Sequence, residues 1–346
     1  MFLLIKHNSI RTVKDAWNTL YKLNTKLSPY QDYAYCSMVQ KYSLRLKKRR
    51  LKNVIYELRD EHGQPIMLIP LHLKRIKKKT LAYLWGEFSQ SGHLDFIYSD
   101  KIQNEAFLTA FKLISNDIRN IKFVFNHIQE QSKLNEILQT IFPLSHHTLG
   151  KTTCVQIPIF ASYNKYINSL GKQVRQNLRT SFNRLKTDNR TYEVKTFVNQ
   201  PIPSNILIQL FKLYYNRHSA KKYRIGLKRF LPMFLRIPIN PTTIALKKLT
   251  NTFYSIVYID KKIAGFCAGF SYRNEKIILP FLAIDSIFSR YSPGGILITE
   301  AIKFLTENHN YKYFDLSRGD ERYKFMYGGI EHYNYHYEIY PAGENE

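Results

Sequence analysis

Between Lys276 and Lys324 the chain brings together residue types that can hold an anion and move a proton. The run KIILPFLAI carries Pro280 inside an otherwise strand-like pattern, and Arg290, Tyr291, Ser292, Pro293, Gly294 and Gly295 then form a turn that opens an apolar helix. A helix entered in this way offers unpaired backbone N–H groups and the positive end of its dipole, the chemistry that receives a phosphate or pyrophosphate. Pro280 has no N–H for a sheet ladder, so its strand is either an ordinary bulged edge or one splayed from its neighbour. A splayed strand leaves backbone groups with which an extended ligand can pair. Farther on, DLSRGDERYK crowds Asp315, Arg318, Asp320 and Lys324 around Gly319. Such a loop reads as recognising a ligand or ordering itself; an internal Asp320–Lys324 ion pair is the alternative, contributing about 0 to 1 kcal/mol at a surface.

The elements that must position these residues follow from periodicity. Period-two patterns predict strands at Tyr192–Val198, Phe253–Ile259, Ile263–Tyr272, Lys276–Ile284, Tyr311–Leu316 and His332–Tyr340. Helical spacing predicts Lys172–Lys186, Asn205–His218, Pro293 to about Glu307 with Ser292 as N-cap and Pro293 at N1, and a short helix near Tyr323. The first half runs similarly, with strands at Val54–Arg59, Pro65–Leu73, Thr80–Trp85, His93–Tyr98, Lys122–Asn126 and Lys151–Ile159. Helices at Gln103–Ile118 and Gln131–Ile141 separate the later ones. Both halves therefore read as meander, helix, strand, helix, strand, which predicts two α/β domains, 1–150 and 151–346, with mixed, largely antiparallel sheets flanked by helices. The helix of the first half is entered through Ser99-Asp100-Lys101, with an acid and no glycine pair, so only the second half is expected to bind a pyrophosphate.

Composition bounds the partners. An apolar fraction of 44% over 346 residues builds packed cores, and 52 Lys and Arg against 26 Asp and Glu leave a formal charge of +26. That charge favours polyanions such as tRNA, DNA or an anionic membrane surface, yet the cations are spread along the chain as ordinary surface decoration would be. The runs Lys47–Arg50 and Lys77–Lys79 and the helix with Arg175 and Arg179 are open to either reading. Cys36, Cys154 and Cys267 show no metal or disulfide spacing, and His332 and His336 share a strand face without a third ligand. No metal is therefore expected, and a reducing cytoplasm, with peripheral contact at the inner face of a membrane, is the expected location. Cys267 sits in an apolar strand and reads as core.

The bulged strand, the glycine turn opening a helix, the strand bearing Asp315 and the tyrosine beyond it resemble the GNAT acyltransferases. The stretch from Tyr291 through Lys324 is similar to the CelD/BcsL branch associated with cellulose and exopolysaccharide synthesis, itself akin to the Fem-type aminoacyl transferases with two GNAT-like halves. The likeness is good from about Tyr163 to Tyr340 and looser before, where Trp85-Gly86 and Asp95 stand as they often do in the family. It implies an acyl-CoA pyrophosphate, acetyl-CoA foremost, on the backbone of Gly294, Gly295 and Ile296 with Arg290 near the phosphates. Here the sequence departs from the commoner pattern, because Pro293 replaces one donor and the glycines are adjacent.

The resemblance also implies Tyr323 as general acid for a leaving thiolate, although with 26 tyrosines in the chain a packing role is the competing reading. Asp315 and Asp285 each stand where a base or an amine-holding carboxylate would, Asp285 equally as an N-cap. Arg318, Asp320, Lys324, Arg175, Arg179 and Trp85 are the expected acceptor-side residues. The acceptor implied is an amine on an amino sugar or a glycan or envelope precursor. The alternatives are a Fem-like transferase using aminoacyl-tRNA and a non-catalytic basic binding module on the same scaffold.

Overall fold

The computed structural model describes residues 2–45, 51–89, 91–140, 147–222, 241–273 and 275–340. The basic run at 46–50 and His146 lie outside them. The described residues fall into two compact units: one within Met1–Thr153, Asn240–Thr242 and Tyr333–Glu346, the other within Cys154–Ile239 and Thr243–His332.

The first unit begins with β1 (Leu3–His7), α1 (Lys14–Leu23) and α2 (Tyr33–Arg45), followed by the meander β2 (Lys52–Arg59), β3 (Pro65–Ile76) and β4 (Lys79–Leu84) and the short β5 (Ile97–Tyr98). Then come α3 (Asn104–Asp117), β6 (Ile121–Gln129), α4 (Lys133–Thr140) and β7 (His147–Pro158). Its ladder runs β1-β2-β3-β4-β6, antiparallel except that β4 and β6 pair in parallel, with β5 against β3. The core is aromatic: Phe96, Phe107, Phe111, Phe123 and Phe125 are all buried, as is Trp17, whose indole N–H donates to the Gln31 carbonyl.

The second unit holds α5 (Tyr163–Ser169), α6 (Lys172–Thr187), β8 (Tyr192–Val198), α7 (Ser204–Lys222), α8 (Pro241–Lys248) from Thr243 onward, β9 (Thr252–Ile259), β10 (Lys262–Tyr272) and β11 (Lys276–Ile284). It continues with α9 (Pro293–Asn308), β12 (Tyr313–Arg318), α10 (Arg322–Met326) and β13 (Ile330–Ile339). Its ladder is β7-β12-β11-β10-β9-β8, with β11 and β12 the parallel pair. β7 and β13 each divide between the units: Cys154–Pro158 pair with β12, while Asn334–Ile339 pair with β6. The first unit thus completes its ladder with Asn334–Ile339 from the far end of the sequence, an exchange that no periodicity reports.

Side-chain alternation sorts this sheet into two faces. Phe314, Leu316, Ile277 and Leu279 face a core built with Val174, Leu178 and Leu185 of α6 and Ile296, Leu297 and Ile302 of α9. Phe281 points the other way and meets Phe211 and Tyr214 of α7, with ring centroids 5.2 and 5.0 Å away. α6 forms as its spacing requires, Val174, Leu178, Ser181 and Leu185 making one buried stripe. No helix among the described residues is long and apolar enough to cross a membrane.

Candidate active site

β11 is where the sheet opens. Against β10 its register slips between Ala268 and Phe270, so that Leu279 and Pro280 together oppose Gly269. Gly269 is required there, because a Cβ would overlap the Ile278 carbonyl. Against β12 the parallel pairing covers Lys276–Ile278 with Tyr313–Asp315 and goes no further. From Leu279 to Ile284 the backbone groups on that side have no ladder partner among the described residues, so the strand carrying Pro280 is both bulged against β10 and splayed from β12. α9 starts at the open end of this fork: a Cβ on Gly294 would come 2.5 Å from Ile284 Cδ1.

The turn into α9 is tighter than a simple anion cradle. Asp285 accepts a bond from the Ile287 N–H at 3.0 Å and caps the 3-10 turn Ser286–Tyr291. Ser292 holds the N-cap position of α9 in the left-handed region, φ 47°, and its side chain makes no cap bond. Its carbonyl instead accepts from Gly295 N at 3.0 Å and Ile296 N at 3.4 Å. Of the three backbone donors expected for a pyrophosphate, two are thus turned into the helix. Gly294 keeps an N–H with no backbone acceptor among the described residues. Gly295 is small for packing: a Cβ would overlap the Tyr327 hydroxyl and touch Leu178.

Arg290 is 63% exposed and its Nε donates to Asp188 Oδ2 at 3.0 Å, an acceptor shared with the Tyr291 hydroxyl at 2.8 Å. Those two hydrogen bonds hold the Asp188 carboxyl below the usual carboxylate range. Arg290 therefore stands beside the turn with its charge already matched by a carboxylate that the sequence reading did not name. Arg175 and Arg179 lie on α6, half-buried and exposed, with no ion-pair partner among the described residues.

Asp315 sits at the crotch of the fork, paired with Ile278 on one side and Gln156 of β7 on the other. It is fully buried; Oδ1 accepts from Ser317 N at 2.7 Å, and Oδ2 is 3.2 Å from His332 Nε2. Phe314 and Leu316 face the α6–α9 core, so Asp315 projects toward the opposite face. Tyr323 lies on the α6–α9 side, half-buried beside that core. Burial, with the Glu321 charge adding, pushes its phenol up to about 12, so it stays protonated at neutral pH. The fork thus separates a carboxylate–imidazole pair on one face from a neutral phenol on the other.

The remaining expected residues divide. Lys324 is 2% exposed and bonds the carbonyls of Ser317, Arg318 and Gly319, with Glu321 as its carboxylate partner at 3.0 Å. The alternative pairing with Asp320 is not the one formed: Lys324 pairs with Glu321, three residues earlier and with a side chain 58% exposed, while Asp320 and Arg318 are exposed. Trp85 is corrected from an acceptor residue to a core residue. It is 3% exposed, its indole donates to the Leu71 carbonyl at 3.0 Å, and it stacks on His72. Cys267 is fully buried and its thiol is pushed up by that burial, as core placement entails. His332 and Asp188 went unassigned as site residues. The pairing of His332 with His336 was visible in sequence, but its neighbour Asp315 is seventeen positions away, and only the ladder brings the two together.

A bulged β11, a parallel β11–β12 pair that splays and a helix entering at the open end define a GNAT-like α/β fold. Residues 172–325, less than half of the chain, match the family described as the acetyltransferase (GNAT) domain. Among solved structures the chain is similar to FemX, with 9% identity, a TM-score of 0.60, and coverage of 98% of this chain and 97% of that one. It is also similar to a conserved protein of unknown function from Bacteroides thetaiotaomicron, with 13% identity, a TM-score of 0.57 and coverage of 97% and 99%. L-PGS from Bacillus licheniformis aligns at 10% identity and a TM-score of 0.52, over 96% and 92% of the two chains. At these identities the likeness is one of fold. No curated protein matches the chain. Assignment to the CelD/BcsL branch has no support from these comparisons.

Proposed function

We propose that the second unit is an N-acyltransferase that moves an acyl group from an acyl-CoA thioester to an amine. The observation that carries this reading is the fork itself. The parallel ladder stops at Ile278 and Asp315, and the N-terminus of α9 stands at the open end, where the Gly294 N–H has no backbone acceptor among the described residues. A thioester lying along Leu279–Ile284 would pair with strand backbone, its carbonyl oxygen taking an N–H there as charge develops. The acceptor nitrogen attacks the carbonyl carbon as the ammonium proton passes to the Asp315–His332 pair. The C–S bond then breaks, and the thiolate takes the Tyr323 proton. Asp315 is buried and committed to Ser317, so it serves by orienting and charge-balancing His332. The acceptor we favour is an amino sugar or a glycan or envelope precursor, acetyl-CoA is the favoured donor, and a cytoplasmic protein peripheral to an anionic membrane surface suits the charge.

A second reading is favoured by one specific observation. Two of the three donors expected for pyrophosphate are consumed by Ser292, in a chain of charge +26 whose fold is similar to FemX. A Fem-like transferase using aminoacyl-tRNA needs no CoA pyrophosphate site. The test is thiol release from a panel of acyl-CoAs with amino-sugar acceptors, beside transfer from charged tRNA over a salt series. Thiol release that requires an amine supports the first reading. tRNA-dependent transfer that weakens steeply with salt supports the second, and neither activity leaves the binding-module reading.

A further inference from the structure

The ammonium of Lys324 is almost entirely removed from water, and its surroundings explain how. Ser317 lies in the left-handed region at φ 57° and Gly319 at φ 104°, so the chain leaving β12 curls and turns three successive carbonyls inward. Lys324 Nζ donates to Ser317 O at 3.3 Å, Arg318 O at 2.8 Å and Gly319 O at 3.0 Å, and Glu321 Oε2 lies 3.0 Å away. A buried ammonium is costly unless its hydrogens and its charge are both matched. Here three carbonyls use the hydrogens and one carboxylate balances the charge. Burial raises the Glu321 carboxyl, but the Lys324 ammonium beside it prevails and holds it below its usual range. With its donors spent, this lysine is badly placed to bind an acceptor.

The clamp joins the end of the strand bearing Asp315 to the helix bearing Tyr323. Its main chain adds two ties: Lys324 N donates to Glu321 O at 2.9 Å, and Gly329 N donates to Lys324 O at 3.0 Å. The aromatic ring of Tyr323, one residue before Lys324, has no hydrogen bond among the described residues to fix it. A five-residue helix has little stability of its own. We propose that Lys324 is a positioning residue that fixes Tyr323 at the fork, acting through the 317–321 loop and touching neither donor nor acceptor. This rests on the acyl-transfer reading only for its kinetic consequence.

Lys324→Ala tests it, because the substitution leaves a nest of three carbonyls and a carboxylate sized for an ammonium ion. The variant should lose on the order of 100-fold in kcat with acyl-CoA donors, as misplaced catalytic groups do, while the donor KM changes less than about 3-fold. Ethylammonium should restore part of the loss, and tetramethylammonium, which has no N–H, should not. Amide exchange across 317–324, measured by mass spectrometry, should quicken at least about 10-fold in the variant. It should slow again with ethylammonium, and this arm does not depend on activity. Lys324→Met fills the space without the charge and should show the same losses with no rescue; it serves if the alanine variant does not fold. Unchanged exchange and kcat, or equal rescue by both cations, would overturn the proposal. A wild type inactive with every acyl-CoA would sink the transferase reading instead and leave the exchange data to judge the clamp.

Discussion

Gly295 separates packing from ligand chemistry at the turn, and a double substitution does so quantitatively. A Cβ at this position would overlap the Tyr327 hydroxyl; with that oxygen removed, the closest atoms would be Tyr327 Cζ at 3.2 Å and Leu178 Cδ2 at 3.4 Å. The first overlap must be relieved by moving α9 or the Tyr327 ring, and the second needs only a few tenths of an ångström. Overpacking of this kind costs about 1 to 3 kcal/mol. Gly295→Ala should therefore be destabilising by about that amount, less the roughly 1 kcal/mol that alanine gains over glycine inside a helix. The Tyr327 hydroxyl has no hydrogen bond among the described residues, so Tyr327→Phe should cost under about 0.5 kcal/mol. The double variant should match Tyr327→Phe within about 0.5 kcal/mol, leaving a coupling equal in size and opposite in sign to the single Gly295→Ala cost, up to about 2 kcal/mol. Urea unfolding of the four proteins, monitored by fluorescence, provides the cycle. Additive costs would refute the contact. An intact stability with lost donor binding in Gly295→Ala alone would mean that the glycine is there for the ligand.

Three further outcomes follow. Tyr323→Phe should lower kcat by about 100-fold or more with little change in donor KM, since it removes a proton donor whose burial keeps it neutral; wild-type kcat in this variant would remove the phenol from the mechanism. Trp85→Ala should cost about 3 to 5 kcal/mol in unfolding, because it empties a buried site and strands the Leu71 carbonyl; a stable variant with a raised acceptor KM would restore the discarded reading. His72 is buried and its imidazole is pushed down to about 3. The unfolded chain takes up a proton below about pH 6.5 while the folded one does not, so stability is complete above that pH and falls as pH drops toward 3. The loss is about 1.4 kcal/mol per unit, near 2 kcal/mol by pH 5. Urea titrations at pH 7.5 and 5 on wild type and His72→Gln measure it, and equal slopes in the two proteins would contradict the assignment.

Much of the second unit was legible because its signals are local. Tyr192–Val198 and Lys276–Ile284 have the bounds their alternation predicts, and Pro280 and the Ser292-Pro293-Gly294 turn announce the fork and the helix entry. Elements with weaker signals were missed. β1, α1 and α2 lie in a segment from which no periodicity was read, although Trp17 and Leu20 mark a buried face three residues apart. The strand expected over His93–Tyr98 shrinks to Ile97–Tyr98, since His93 takes a positive φ and ends any ladder before it. Burial was the larger gap: Trp85 reads alike as a pocket wall or as core until its indole is seen to bond Leu71. Lys324 shows the same limit, because a lysine in a charged loop looks solvent-facing, and only two positive φ angles seven and five residues earlier turn the carbonyls onto it.

The most direct test of the central claim is calorimetric titration with acetyl-CoA, longer acyl-CoAs and free CoA, on wild type and on Gly294→Glu. The substitution belongs at Gly294, whose N–H has no backbone acceptor among the described residues and whose added Cβ meets only the tip of Ile284. The account predicts saturable binding by wild type that the new carboxylate abolishes while the melting temperature holds. Absence of binding by wild type, or equal binding by both proteins, would contradict an acyl-CoA site at the start of α9.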